Sequence, residues 1–144
     1  MVGCVQCKFM TVGSIPPRAA ALPIPQPCVL VVEDELLIRF MLSDSIRYAG
    51  YNVVEASSAD EALVIFGTLV PDVIITDVRM PGSIDGIGLL AQVRQTHPTL
   101  PVIITSSHLE GTSASLDCAT HFVAKPYSME VIAQIVEREL AKSN

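Results

Sequence analysis

The chain has 144 residues, the length of one domain. Half are hydrophobic, Trp is absent, and 15 acidic against 9 basic residues give a formal net charge of −6. That balance excludes a nucleic-acid surface, which needs clustered Lys and Arg, and no apolar run approaches the roughly 18–20 residues of a membrane span. The cysteines Cys4, Cys7, Cys28 and Cys118 make no zinc set, because the Cys4/Cys7 pair has no second pair or histidines at ligand spacing.

Residues 1–27 hold five of the ten prolines: Pro16, Pro17, Pro23, Pro25 and Pro27. The alternation "PIPQP" favours an extended, polyproline-like chain, so residues 1–27 read as a Pro-rich, disordered extension before a folded domain over 28–142. Pro and Gly interrupt the apolar stretches of this segment, which argues against a secretory signal. Free thiols fit a reducing, cytoplasmic setting.

The elements then alternate. "CVLVV" (28–32) is a buried-strand run, followed by a helix over 36–49 with Ile38, Met41, Leu42, Ile46 and Ala49 on one face and Gly50 at its stop. "YNVVEA" is the second strand. Ser58 and Glu61 form an S-x-x-E capping box before a helix with the stripe Ala62, Ile65, Phe66 and Leu69. "DVIIT" is the third strand, and Ile87, Leu90 and Val93 mark a helix around 86–96. "VIIT" and "HFVA" are strands four and five. Between them, "HLEGTSASLD" (108–117) predicts only a short, frayed helix, because Gly, Ser and Thr are poor helix formers. The last helix, 127–141, buries Met129, Ile132, Ala133, Val136 and Leu140. Five strands alternating with five helices, without polar alternation in the strands, predict a doubly wound parallel sheet covered on both faces.

In such a sheet, ligands bind beyond the carboxyl ends of the strands. Strand one ends at Glu33–Asp34, strand three at Asp77, strand four at Thr105–Ser106, and strand five just before Lys125–Pro126. Three carboxylates, a hydroxyl and an ammonium therefore converge on one edge. Close carboxylates repel unless a cation sits among them. Lys125 supplies one charge, and a hard divalent ion, Mg²⁺, suits the rest together with a phosphoryl group. Asp77 is then placed as a nucleophile that forms an acyl phosphate. Each part has a plainer reading: Glu33–Asp34 as helix-capping acids, Asp77 as a turn acid before Pro-Gly, Ser106 as a loop hydroxyl, Lys125 as a surface lysine. Their coincidence at one edge favours the site. His97 is placed at the end of the third helix and His121 at a strand start, neither with a metal-ligand neighbour.

In this order and spacing, "VLVVEDE", "PDVIITDVRMPG", "PVIITSS" and "FVAKPYS" resemble the receiver domain of two-component response regulators. The resemblance implies a flavodoxin-like sheet of strand order 2-1-3-4-5. It implies Asp77 as phosphoacceptor. Asp34, Asp77 and the backbone carbonyl of Arg79 are implied Mg²⁺ ligands, and Glu33 acts on the metal through water. Lys125 bridges to the phosphoryl group, Ser106 and Phe122 are the switch pair, and the bond before Pro126 is cis. The implied partners are a histidine kinase or phosphotransfer protein and an unidentified output protein, with the chain a monomer or homodimer. The implied activity is phosphoacceptance with slow self-dephosphorylation, not enzymatic turnover; Arg79 and His108, two residues past Asp77 and Ser106, are expected to tune its rate.

Several features depart from the family pattern. Phe122 lacks a tyrosine hydroxyl, the stretch from Ser106 to Phe122 is short, and "GSIDG" lengthens the loop beside the metal. The end at Asn144 implies a stand-alone, single-domain regulator. The alternative is a receiver-like binding module that works without phosphorylation. An aspartate-nucleophile phosphatase is disfavoured, since Arg79 stands where such enzymes place a second acid.

Overall fold

A computed structural model describes residues 25–108 and 117–143. Along the chain run β1 (Cys28–Val32), α1 (Leu36–Tyr48), β2 (Asn52–Ala56), α2 (Ala59–Phe66), β3 (Val73–Asp77), α3 (Gly86–Thr96), β4 (Val102–Ser106), β5 (Thr120–Ala124) and α4 (Met129–Ala141). The strands form one parallel sheet in the order β2-β1-β3-β4-β5, as the resemblance implies. Five helices were expected and four lie among the described residues; the predicted 108–117 helix falls on residues 109–116, outside them.

Successive strand side chains point to opposite faces, and the apolar strand runs fill both. Leu30, Val32, Ile74 and Ile104 pack with Ala59 and Ala62 of α2 and Leu89 and Val93 of α3. Val29, Val31, Val73, Ile75 and Ile103 pack with Leu42 and Ile46 of α1 and Ile132 and Val136 of α4. Each buried Val, Leu or Ile side chain contributes about 1.5–3 kcal/mol, which makes the sheet a stiff platform for whatever its edge carries.

The helix stripes are narrower than the periodicity predicts. On α1 the buried residues are Leu42, Ser43 and Ile46, while Met41, placed on the buried face by the sequence, is 48% exposed. Leu69, the last residue of the predicted α2 stripe, stands beyond the helix end at Phe66 and is 41% exposed. A helix lying on a sheet offers the sheet less than half its circumference, so outlying stripe residues are left in solvent.

The caps follow the sequence with one change. Ser58 Oγ accepts the Glu61 N–H at 3.1 Å, but Glu61 Oε2 accepts from Ser57 N and Oγ, each at 2.7 Å, instead of closing the box on Ser58. Asp85 caps α3 by accepting the Gly88 N–H at 2.9 Å. Gly50 follows α1 with φ +97°, in the left-handed region.

Candidate functional site: an acidic cluster at the carboxyl edge of the sheet

The strand register brings the distant residues together. Val32 pairs with Thr76, and Asp77 with Thr105, so the residues after β1 and the last of β3 stand side by side. Ser106 pairs with Ala124, and the Lys125 N–H donates to the Ser106 carbonyl at 2.8 Å, which carries Lys125 to the same edge.

Glu33, Asp34 and Asp77 each offer a carboxylate oxygen, and these atoms lie within 4.8 Å of one another. Lys125 Nζ donates to Asp77 Oδ2 at 2.9 Å and lies 3.5 Å from Glu33 Oε2. The bond between Lys125 and Pro126 is cis. Asp34 is exposed, Asp77 half-buried and Glu33 buried, so the cluster opens toward solvent from a dry floor.

Electrostatics record the crowding. Burial pushes the Glu33 carboxyl above the ordinary carboxylate range; the Glu35 N–H and the Lys125 charge offset this only in part, and Asp77 adds to it. Burial would lower the Lys125 pKa, but the Asp77 hydrogen bond and the Glu33 charge outweigh it and hold the ammonium up. Three carboxylates against one ammonium leave a local excess of negative charge, with hard oxygen donors only. That donor set fits a small divalent cation such as Mg²⁺.

The plainer reading of Glu33–Asp34 as helix-capping acids does not hold. The N-cap of α1 is Glu35, with no side-chain cap bond and no acid in the first turn. Glu33 instead accepts the Glu35 N–H at 3.2 Å and turns its other oxygen to Lys125.

Ser106 ends β4 at the same edge, paired with Ala124. Ser106 is buried, and its hydroxyl is engaged within its own loop: it donates to the His108 carbonyl at 3.0 Å and accepts the His108 N–H at 3.1 Å. Phe122 is half-buried and packs against the Ile104 side of the core. Arg79 and His108 are exposed. His97 is the C-cap of α3 and meets Phe66 edge-on, while His121 Nε2 lies 2.9 Å from the buried Glu139 of α4.

Three further residues shape the site without having been singled out from the sequence. The Thr76 hydroxyl donates to the Asp77 carbonyl at 3.0 Å. Gly86, first residue of α3, backs onto that same carbonyl so tightly that a Cβ would overlap its oxygen, and its N–H donates to Val78 O at 3.0 Å. Tyr127 packs against the α1–α4 side of the core with its hydroxyl buried and without a hydrogen-bond partner among the described residues. It lines a cavity of about 360 Å³ with Ile38, Ser107, Lys125, Pro126 and Met129. The Asp-Gly before α3 was a readable signal for Gly86; nothing local marked Thr76 or Tyr127. A larger cavity of about 510 Å³, lined by Pro25, Tyr51, Asp72 and Leu140, lies at the strands' amino ends and holds none of this chemistry.

Comparison with known proteins agrees with this geometry. A family model described as "Response regulator receiver domain" matches residues 29–137. The DNA-binding transcriptional regulator NtrC of Salmonella typhimurium is 35% identical over 116 residues, which cover 78% of this chain and 24% of NtrC. The sensor kinase CckA of Brucella abortus is 36% identical over 121 residues, 81% of this chain and 13% of that protein. The chain therefore spans about a quarter or less of these two relatives. Among solved structures, the receiver domain of the Francisella response regulator 1452 superposes with a TM-score of 0.73 at 30% identity, covering 82% of this chain and 99% of that one. The BeF₃-activated receiver domain of NtrC gives 0.71 at 33%, with coverage of 84% and 99%. No helix among the described residues is long and apolar enough to cross a membrane. With its sheet order, its acid cluster and its lysine, the chain belongs to the response regulator receiver domain family.

Proposed function

We propose that this chain accepts a phosphoryl group on Asp77 from a phosphohistidine of a histidine kinase or phosphotransfer protein, with Mg²⁺ held by Asp34, Asp77 and the Arg79 carbonyl. The observation that carries this reading is the contact of Lys125 Nζ with Asp77 Oδ2 at 2.9 Å inside the acid cluster. An Asp77 carboxylate oxygen attacks phosphorus, the P–N bond breaks as the P–O bond forms, and the imidazole leaves to take a proton. When bound, the metal neutralises phosphoryl oxygens that would otherwise meet an acidic pocket. Glu33 orients water toward the metal. Lys125 exchanges part of its bond to Asp77 for a phosphoryl oxygen, so the charge it now gives the carboxylate is available to the product.

Ser106 and Phe122 form the switch. In the unphosphorylated arrangement the Ser106 hydroxyl is satisfied by His108, and turning toward a phosphoryl oxygen would release that clasp. The space it leaves lets Phe122 move inward, which biases a two-state equilibrium at the β4–β5–α4 face toward an output partner. The exposed Leu36, Leu37 and Phe40, in the first two turns of α1 after Asp34, give a protein phosphodonor an apolar footing beside the site. Arg79 and His108 set how quickly water reaches the acyl phosphate.

Incubation with acetyl phosphate and Mg²⁺ tests the assignment, with stable incorporation read by intact-mass spectrometry. Wild type should be labelled and Asp77→Asn should not; persistent labelling of the variant would sink the reading. A wild type that neither binds Mg²⁺ nor takes label would favour the phosphorylation-independent binding module.

A further inference from the structure

The loop leaving β3 holds Arg79, and at residues 78–85 it is long enough to drift unless something ties it down. Two ties are local. The Gly86 N–H closes the loop on Val78 O at 3.0 Å, and Asp85 caps α3. Both fix only its two ends, and between them Met80 and Ile84 pack against the core without fixing the backbone around Gly82 and Ser83 by a hydrogen bond.

The third tie comes from another element. Asp60, in the first turn of α2, accepts two hydrogen bonds from Ser83: the backbone N–H at 3.0 Å on Oδ2 and the hydroxyl on Oδ1. Gly82 makes this approach possible. Its φ is +131°, and a Cβ there would overlap Asp60 Oδ2. The Ser83 hydroxyl and N–H hold the Asp60 carboxyl below the ordinary range, as expected for an acceptor of two bonds. An acid in the first turn of α2 is favourable to the helix in any case, but that role does not require it to grip a loop 23 residues away.

We infer that Asp60 and Ser83 form a latch that sets the height of the β3–α3 loop over the acid cluster, making both positioning residues for the cation site at Asp77. The latch acts through the Arg79 carbonyl, so it rests on the Mg²⁺ reading above. Neither residue touches the metal or the phosphoryl group. Without the latch the loop samples more positions, and the carbonyl reaches the cation only in some of them. The cost falls on metal affinity and not on the chemistry of a loaded site.

The experiment uses the full chain. Mg²⁺ affinity is read by calorimetry, and the rate of labelling by acetyl phosphate is followed across Mg²⁺ concentration. Ser83→Ala and Asp60→Ala should each weaken Mg²⁺ binding about three- to tenfold, the scale of a lost charge-assisted hydrogen bond. The rate at saturating Mg²⁺ should return to the wild-type value. Ser83→Thr and Asp60→Asn keep a donor or an acceptor and should recover part of the affinity. Asp60→Asn also removes the charge, which separates the latch from simple attraction of a cation. The double alanine variant should be no worse than the weaker single one. Wild-type Mg²⁺ affinity in both alanine variants overturns the latch, and so does a rate lowered equally at every Mg²⁺ concentration, the mark of a merely structural role. Asp77→Asn is the control: if it binds Mg²⁺ like wild type, the site reading fails and the latch falls with it.

Discussion

Replacing Lys125 with alanine would leave Asp77 and Glu33 facing each other without a counter-charge. Lys125 Nζ stands 2.9 Å from Asp77 Oδ2 and 3.5 Å from Glu33 Oε2, with the lysine and aspartate side chains only 20% and 12% exposed. At an effective dielectric of about 20, the gross attractions are about 6 and 5 kcal/mol. Desolvation of the ammonium offsets most of that, so we expect a net loss of about 2–3 kcal/mol in metal-free buffer near pH 8. A change of this size moves a urea midpoint by roughly 1–2 M. The sign of the pH dependence follows from Glu33. Its folded-state pKa is already raised, and removing Lys125 takes away one of the influences that lower it. The folded variant therefore holds its proton to higher pH than the unfolded chain does. Its stability should fall as pH rises from the ordinary carboxylate pKa through the raised folded value. The deficit should shrink near pH 5, where Glu33 is protonated for more of the time. At pH 8, millimolar Mg²⁺ should restore part of it by occupying the uncompensated cluster. Urea titrations at both pH values, with EDTA or Mg²⁺, measure all three effects. A deficit equal at both pH values and untouched by Mg²⁺ would refute the electrostatic account and reduce Lys125 to a packing residue.

Gly86→Ala separates propensity from contact. An alanine at this helical position should gain up to about 1 kcal/mol on propensity alone, but a Cβ overlapping the Asp77 carbonyl should instead cost about 2–3 kcal/mol and slow labelling; a stabilised variant with normal labelling would refute the close packing. Ser106→Ala removes the clasp on His108, so Asp77 should still be labelled while the spectral change that separates free from BeF₃-bound protein in wild type largely disappears; an unchanged NMR difference spectrum would show that the hydroxyl is not the switch. Glu139→Gln tests the buried acid on α4. Burial raises its carboxyl, but Lys142 and His121 outweigh burial and leave it lowered. Its contribution is therefore present above the ordinary carboxylate pKa and is lost as pH falls through the folded value. The variant should be about 1 kcal/mol less stable at neutral pH, with the gap closing in acid; a gap constant with pH would place the effect in packing.

The strand runs, the order of elements and the four chemistry-bearing strand ends were legible because each is a local pattern. Apolar runs of four or five residues mark strands buried on both faces, and a carboxylate or lysine directly after such a run must lie at the carboxyl edge. Ser58 announced its cap through a side-chain oxygen and Gly50 the end of α1 through a left-handed backbone that a Cβ disfavours, both acting within three residues. The register that sets Asp77 beside Thr105, and the 2.9 Å contact spanning 48 residues, depend on how separate strands align, and no local pattern encodes that. The exposure of Met41 depends on how much of α1 the sheet covers, and that of Leu69 on where α2 stops, and periodicity measures neither. The same holds for Gly86 against the Asp77 carbonyl, for the buried Tyr127 hydroxyl and for the grip of Asp60 on Ser83. Residue order tells which groups reach the edge of the sheet; only packing in three dimensions decides which of them touch, because contact energies fall off within a few ångströms and the chain brings those atoms together from far apart.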